Sequence, residues 1–198
     1  MRTLYIDCSM GAAGDMLGAA LYELIEDKEA YVKKINSIGL KGVSVNPSEM
    51  IKCGIVGTHM SVLVDGVEEE AGDAHHDHHD HEHEHHHDHD HEHHHKHDHN
   101  HDHDHDHHHD HEHDHAHSHH HSSMRDIEAI IDGLIIPEKV KQDVKSVYEL
   151  IAEAESKAHN VPVSEIHFHE VGTMDAIADI VGVCLLINEL SPDKIVAS

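Results

Sequence analysis

The chain has 198 residues, of which 33 are histidine and 40 acidic against 13 lysines and arginines, a formal charge of −27 with histidine counted as neutral. That balance excludes the Lys and Arg stripes that nucleic-acid phosphates demand and argues equally against anionic membrane surfaces, so neither nucleic acid nor membrane is an expected partner; cations are. Cys8, Cys53 and Cys184 are odd in number and form no CxxC pair, so neither a disulfide framework nor a cysteine zinc site is indicated, which fits a reducing cytoplasm.

The opening residues, Met1 to Asp7, lack the apolar stretch and small-residue cleavage site of a signal peptide. Thr3 to Ile6 predicts a short strand, which leads through a Gly-containing loop, Asp7 to Asp15, into a helix. Ala13, Met16, Leu17, Ala20, Leu21, Leu24 and Ile25 recur at helical spacing and predict its buried face. A second helix carries Tyr31, Ile35 and Ile38, with Gly39 placed for a left-handed cap. Val43 to Val45 and Ile55 to Val64 predict an antiparallel hairpin, with Met60, Val62 and Val64 on one face and Pro47 and Gly54 punctuating the link. Gly66 to Gly72 is an acidic run-out.

From His75 to His121, 29 of 47 residues are histidine and 14 are Asp or Glu, and Ala116 is the one apolar side chain. Such a segment has nothing to bury against the entropy of ordering its backbone, so disorder is expected. Its imidazoles suit nickel, zinc, copper and cobalt, and the interleaved carboxylates raise the local cation concentration and add oxygen ligands. An expression tag is the bland alternative, but tags are terminal and uniform, whereas this tract is internal and threaded with acids.

Beyond the tract, Ile127, Ile130, Ile131 and Leu134 predict a short helix, and Pro137 suits the first turn of the next. In that helix Val140, Val144, Val147, Ile151, Ala154 and Ala158 predict a narrow packing stripe, closed by Pro162. Val163 to His169 reads as extended. Thr173 can cap a final helix to Leu190, after which Ile195 to Ser198 begins a strand and leaves a β-α-β unit incomplete. The longest apolar run, Ile180 to Ile187, is far too short for a membrane span.

Two constellations can carry chemistry. In the first, Gly11 and Gly14 let the backbone approach a ligand and the following helix N-terminus attracts anions, so a phosphate can dock there with Asp15 nearby. The competing reading is that the glycines serve only the turn and tight helix packing and that Asp15 complements the helix dipole. The second runs from His167 through His169, Glu170, Asp175 and Asp179. In extended backbone His167 and His169 point to one side, and Asp175 and Asp179 share one face of an otherwise apolar helix, a geometry that suits a metal. Against it stand helix-dipole and local pairing roles for the two aspartates and plain edge exposure for the histidines. His59 and His159 read as isolated surface residues.

The segment Tyr5 to Met16, the internal histidine-acid tract, and His167-Phe168-His169-Glu170-Val171-Gly172 with Asp175, Ile177 and Asp179 together resemble the LarC-type nickel-insertion proteins. The resemblance implies insertion of nickel into a pyridinium bis-thiocarboxylic acid mononucleotide, giving the nickel-pincer nucleotide of lactate racemase. It implies also that the chain is the N-terminal part of a longer or two-piece protein, inactive without the C-terminal region, where the family's CTP and manganese site lies. The expected roles are capture of nickel by His75 to His121, hand-off through His167, His169 and Glu170 with Asp7, Asp175 and Asp179 as further metal ligands, and phosphate docking at Gly11, Gly14 and Asp15. The expected partners are the nucleotide substrate, the C-terminal half or a split partner, and further copies of the chain in a homo-oligomer. A store or metallochaperone without turnover is the alternative.

The expected fold is α/β or α+β, with a small mixed sheet, packed helices and a long disordered His-rich insertion. Residues 1–66 form its first half, 67–123 the insertion and 124–198 the second half, truncated at its C-terminus. Such an insertion costs little, because loop-closure entropy grows only logarithmically with length.

Overall fold

The computed structural model describes residues 1–9, 11–68 and 122–198. Met10 and positions 69–121, and with them the whole histidine tract, lie outside the described residues. The described elements, in order, are β1 (Thr3–Ile6), α1 (Gly14–Tyr22), α2 (Lys28–Ile35), β2 (Val43–Lys52), β3 (Ile55–Val64), β4 (Val67–Glu68), β5 (Ser122–Ser123), α3 (Met124–Gly133), α4 (Glu138–His159), β6 (His167–Phe168), α5 (Met174–Leu190) and β7 (Lys194–Ala197). Strands β4 and β5 fall within the range 67–123 that the sequence suggested as insertion, so ordered pairing reaches Glu68 on one side and Ser122 on the other.

The strands form three small sheets among the described residues rather than one mixed sheet. β1 and β7 pair in parallel, from Thr3 opposite Lys194 to Ile6 opposite Ala197. The final strand is therefore paired with the first. β2, β3 and β4 form an antiparallel meander, and β5 pairs antiparallel with β6. The mixture of helices and small sheets agrees with the expected class.

The hairpin is longer than its apolar pattern indicated, because β2 continues through Pro47 to Lys52. Pro47 is tolerated since β2 is an edge strand, where a missing N–H costs no ladder bond on the open side. Both tight turns have positive φ at each central residue, Cys53 (53°) with Gly54 (79°) and Asp65 (51°) with Gly66 (83°), which matches the right-handed twist of the flanking strands. Met60 and Val62 are buried, as the alternation required. The Asn36 side chain ties α2 to β2 by donating to the Val45 carbonyl at 2.9 Å and accepting the Val45 N–H at 2.8 Å. Gly39 has φ +99° but lies beyond that helix end, whose cap is Asn36.

Two predicted helix faces are rotated from their apolar patterns. In α1 the buried residues are Gly18, Ala19 and Leu21, while Met16 and Leu24 are exposed. That helix is apolar nearly all round, so periodicity could not choose the face. The choice comes from α5, which packs against it and requires small side chains at the contact. In α4 the buried row is Val140, Val144, Tyr148 and Ala152, a strict spacing of four, while Ala154 and Ala158 are exposed. Pro137 is the residue before the first turn, and Asn160 closes α4 in the left-handed conformation (φ 54°), ahead of Pro162. The start of α3 is held by a reciprocal capping box between Ser123 and Asp126.

Candidate functional site

At the carboxyl end of β1 the Asp7 carboxylate accepts the Ser9 N–H at 2.9 Å and the Ser198 hydroxyl at 3.3 Å. Hydrogen bonding from Ser9 holds the Asp7 carboxyl below its usual range. Cys8 N–H donates to the Ser198 Oγ at 2.9 Å, so the loop after β1 is tied to the residue after β7. Gly11 closes this turn through its N–H to the Cys8 carbonyl at 3.0 Å. Its φ of +91° favours glycine, and a Cβ there would meet nothing within 4 Å, so the backbone is open to a ligand.

Gly14 is different. A Cβ at Gly14 would lie 2.7 Å from both the Cβ and the Oδ2 of Asp179, so what approaches this glycine closely is the second constellation itself. The Asp15 N–H donates to the Asp179 carboxylate. No side chain of the Ala13 cap serves the α1 N-terminus, and the Asp179 carboxylate, from α5, takes an orphan donor of its first turn. Residues 164 positions apart in the chain thus meet at one carboxylate.

Burial pushes the Asp179 carboxyl up to about 6, the Asp15 and Asp175 carboxylates push the same way, and the Asp15 N–H opposes them. Beneath it, the buried Tyr31 phenol is raised by its burial and then by Asp179. A Cβ at Gly182 of α5 would lie 2.9 Å from the Tyr31 hydroxyl, so a second glycine is fitted to this contact. Asp175 accepts a short hydrogen bond from the Thr173 hydroxyl. Thr173 precedes α5 as expected, but its hydroxyl oxygen also lies 2.7 Å from the Glu170 carbonyl, and it caps no N–H of the helix.

The histidine motif is anchored by its apolar members. Phe168 is buried and meets Tyr148 edge to face with ring centroids 5.7 Å apart. The Tyr148 hydroxyl donates to the Val171 carbonyl at 3.0 Å. A Cβ at Gly172 would lie 2.7 Å from that of Phe168, so the turn after the motif closes tightly over the ring. Ile166 and Phe168 point inward while His167 and His169 are exposed on the other side, as the two-residue period required. Glu170 is exposed in the following turn.

His159, from the last turn of α4, lines with His167, His169 and Glu165 an open recess of about 360 Å³, floored by Val161 and Ile166. His159 also pairs with Glu155 at 3.1 Å. Sequence reasoning passed over His159 as isolated, because its neighbours in space are eight and ten positions on. The signal available was Asn160, a left-handed cap that turns the chain back past its own helix end. His59, the other histidine read as isolated, pairs with Glu68 at 3.3 Å.

The four residues expected to converge are therefore divided. His167 and His169 line the recess, whereas Asp175 and Asp179 are grouped with Asp15 at the α1 N-terminus. Among the described residues no three His, Cys, Asp or Glu side chains are close enough to hold a metal ion. Nor is any described helix long and apolar enough to cross a membrane.

The described residues thus form a small α/β fold with a glycine loop at the carboxyl end of a parallel strand pair and with exposed histidines separate from a carboxylate junction, an arrangement that by itself fixes no reaction. The family model described as nickel insertion protein matches residues 4–198. The chain belongs to the nickel insertion protein family. It is 42% identical over its whole length to the pyridinium-3,5-bisthiocarboxylic acid mononucleotide nickel insertion protein of Clostridium acetobutylicum, covering 43% of that protein. It is 36% identical over its whole length to the protein of the same name from Lactiplantibacillus plantarum (40% of that protein covered), and 33% identical over 98% of its length to that of Alkaliphilus metalliredigens (38% covered). The chain spans about two fifths of the length of these curated relatives. No solved structure matches it.

Proposed function

We propose that this chain is the N-terminal portion of a cytoplasmic nickel insertion protein. Completed by the C-terminal portion, in one chain or from a split partner, it inserts nickel into pyridinium-3,5-bisthiocarboxylic acid mononucleotide, a chelatase-type lyase step that yields the nickel-pincer nucleotide of lactate racemase. The observation that supports this reading most directly is the family match, which runs through both motifs and on either side of the tract. Nickel is the substrate metal. Residues His75 to His121 capture it, with proton release on loading and affinity that falls below about pH 6 as imidazoles protonate. His167, His169 and Glu170 pass it on, His159 adding a third imidazole to the recess, and Asp7, Asp175 and Asp179 act as further ligands near the loop. Gly11, Gly14 and Asp15 form the place where the nucleotide phosphate docks. The open backbone at Gly11 suits that role better than Gly14, whose space Asp179 already fills. Thiocarboxylate sulfurs are softer donors than imidazole or carboxylate, so transfer to the nucleotide is favourable once both sulfurs are presented to the metal.

Manganese and CTP belong to the C-terminal portion in this reading. The described residues hold no three-ligand cluster that fits such an ion, and no step here runs through either. Association into a homo-oligomer is part of the same proposal. Nickel insertion into the purified mononucleotide, with and without CTP and with and without the C-terminal polypeptide, tests it. Insertion only in the presence of the C-terminal polypeptide is the expected result, and none under any combination would overturn it. Deleting residues 75–121 separates an enzyme part from a reversible store: the enzyme part keeps nickel binding at the folded sites, while a store loses all of it.

A further inference from the structure

The β1–β7 pair is an anomaly on physical grounds. Parallel strands occur almost only in sheets covered on both faces, and a two-stranded sheet is marginal by itself. Here each strand has four residues. Partners in a parallel register share a face, so Leu4, Ile6 and Ile195 line one side and Tyr5 and Val196 the other. One face is wholly apolar, as in a buried parallel sheet, and the other carries Tyr5 and Val196 beside Thr3 and Lys194, yet Tyr5 is 61% exposed and Ile195 45%. Leu4 packs against the core.

The outer edge of β7 is equally defined. Lys194 N–H donates to the Arg2 carbonyl and Ser198 N–H to the Ile6 carbonyl, so alternate residues of β7 address β1. Ile195 and Ala197 between them turn their N–H and C=O groups to the opposite edge. Among the described residues no strand pairs with this edge, and such an edge beside an exposed apolar residue is a template for another strand. The relatives extend this architecture by about one and a half times its own length.

We infer that the β7 edge receives a strand from the polypeptide that follows this portion in the longer family members, Ile195 and Ala197 forming the new ladder and Tyr5 and Ile195 being covered. The inference deepens the proposed function and rests on it for the identity of the occupant. It also gives the C-terminal portion a reason to matter to the loop. In open parallel sheets ligands bind in the crevice beyond the carboxyl ends of the strands. Asp7 and the Gly11 turn stand at the carboxyl end of β1, bound to Ser198 just after β7. A strand added beside β7 extends that crevice and supplies the missing wall of the nucleotide site.

The test is amide exchange on this chain alone and on the same chain continued through the C-terminal portion of a relative. Exchange at Ile195 and Ala197 is expected to slow by about tenfold or more in the continued chain and at neither residue in the short one. Ile195→Pro, which removes the outward-facing N–H together with the side chain the new strand would cover, is expected to weaken binding of the C-terminal polypeptide supplied in trans by about tenfold or more, and Ile195→Val, which keeps the N–H, by less, while the amides of Lys194 and Val196 stay protected. Unchanged exchange at Ile195 and Ala197 in the continued chain overturns the inference. So does protection confined to Thr3 and Tyr5, which would place the new strand on β1, and so does concentration-dependent protection in the short chain, which would make a second copy the occupant. Nickel insertion by the continued chain is measured beside it: insertion without protection sinks the docking alone, and protection without insertion sinks the proposed reaction alone.

Discussion

The α1–α5 junction and the recess beside β6 both carry ligand-type side chains, and they are built in opposite ways. At the junction a carboxylate is pressed against a glycine and takes a hydrogen bond from the first turn of another helix. At the recess the burial falls on Ile166 and Phe168, and the histidines stand outside the packing. Any change at the junction is therefore expected to disturb packing as well, whereas the recess is expected to lose its imidazoles and keep its fold.

That contrast can be broken by substitution. The largest effect is expected at the recess. His167→Ala with His169→Ala, in the protein completed by its C-terminal portion, should slow nickel insertion on the order of 10- to 100-fold, by analogy with losses at metal-site residues, and leave the melting temperature within a degree or two. Insertion at the wild-type rate would remove the hand-off role. His159→Ala alone should give a smaller loss of the same kind.

At the junction the order reverses. Gly14→Val drives a side chain into Asp179 and should cost about 1–3 kcal/mol of stability, read by denaturant unfolding. Asp179→Ala in the same chain should recover part of it, since the two positions are in contact and their effects are not additive. Because Gly14→Val disturbs packing, mononucleotide docking is better examined with Gly11→Ala. That variant meets no neighbour and carries only the strain of its positive φ, about 1 kcal/mol. Unchanged mononucleotide binding in it would discount the loop as the phosphate site.

Asp179 offers a finer comparison. Its folded carboxyl titrates near 6 against an ordinary 3.8, so the folded state holds the proton more tightly and stability falls as pH rises from about 4 to about 6. Above that window the penalty is fully present, and below it the penalty is gone. Asp179→Asn keeps an acceptor for the Asp15 N–H and should be more stable than the parent at pH 7 by on the order of 1 kcal/mol, the figure discounted for the partial exposure of the site. The advantage should vanish near pH 4. A constant difference across that range would mean that the junction carboxylate is not the group titrating. The smallest effect is expected at Tyr148→Phe, which removes one hydrogen bond to the Val171 carbonyl and should cost about 1 kcal/mol with insertion otherwise normal.

Local chemistry was legible wherever one short stretch determined it. The period of two put His167 and His169 on one side, Pro162 marked where α4 had to end, and the hairpin followed from alternation and the break at Gly54. Pairings across the chain were not legible. No spacing rule joins Gly14 to Asp179, or His159 to His167, because each pair meets only after helices of nearly uniform apolarity have chosen which face to bury. In α1 and α5 that choice is made by close fit, with Gly14 against Asp179 and Gly182 against the Tyr31 hydroxyl, and fit is a property of two surfaces at once. The order of strands was illegible for the same reason, since β1 and β7 stand at opposite ends of the chain.

Composition and motif by themselves made a cation the expected client and put the candidate chemistry-bearing residues on either side of the histidine tract, because residue type sets ligand softness and charge wherever the chain goes. The tertiary structure alone decided that the second constellation is divided and that its carboxylates join the first. The glycine loop and the α5 carboxylates share a packed helix junction, while the histidines keep to an exposed recess. The physical reason is that ligand type is a property of single residues, whereas coordination requires distances that only packing can set.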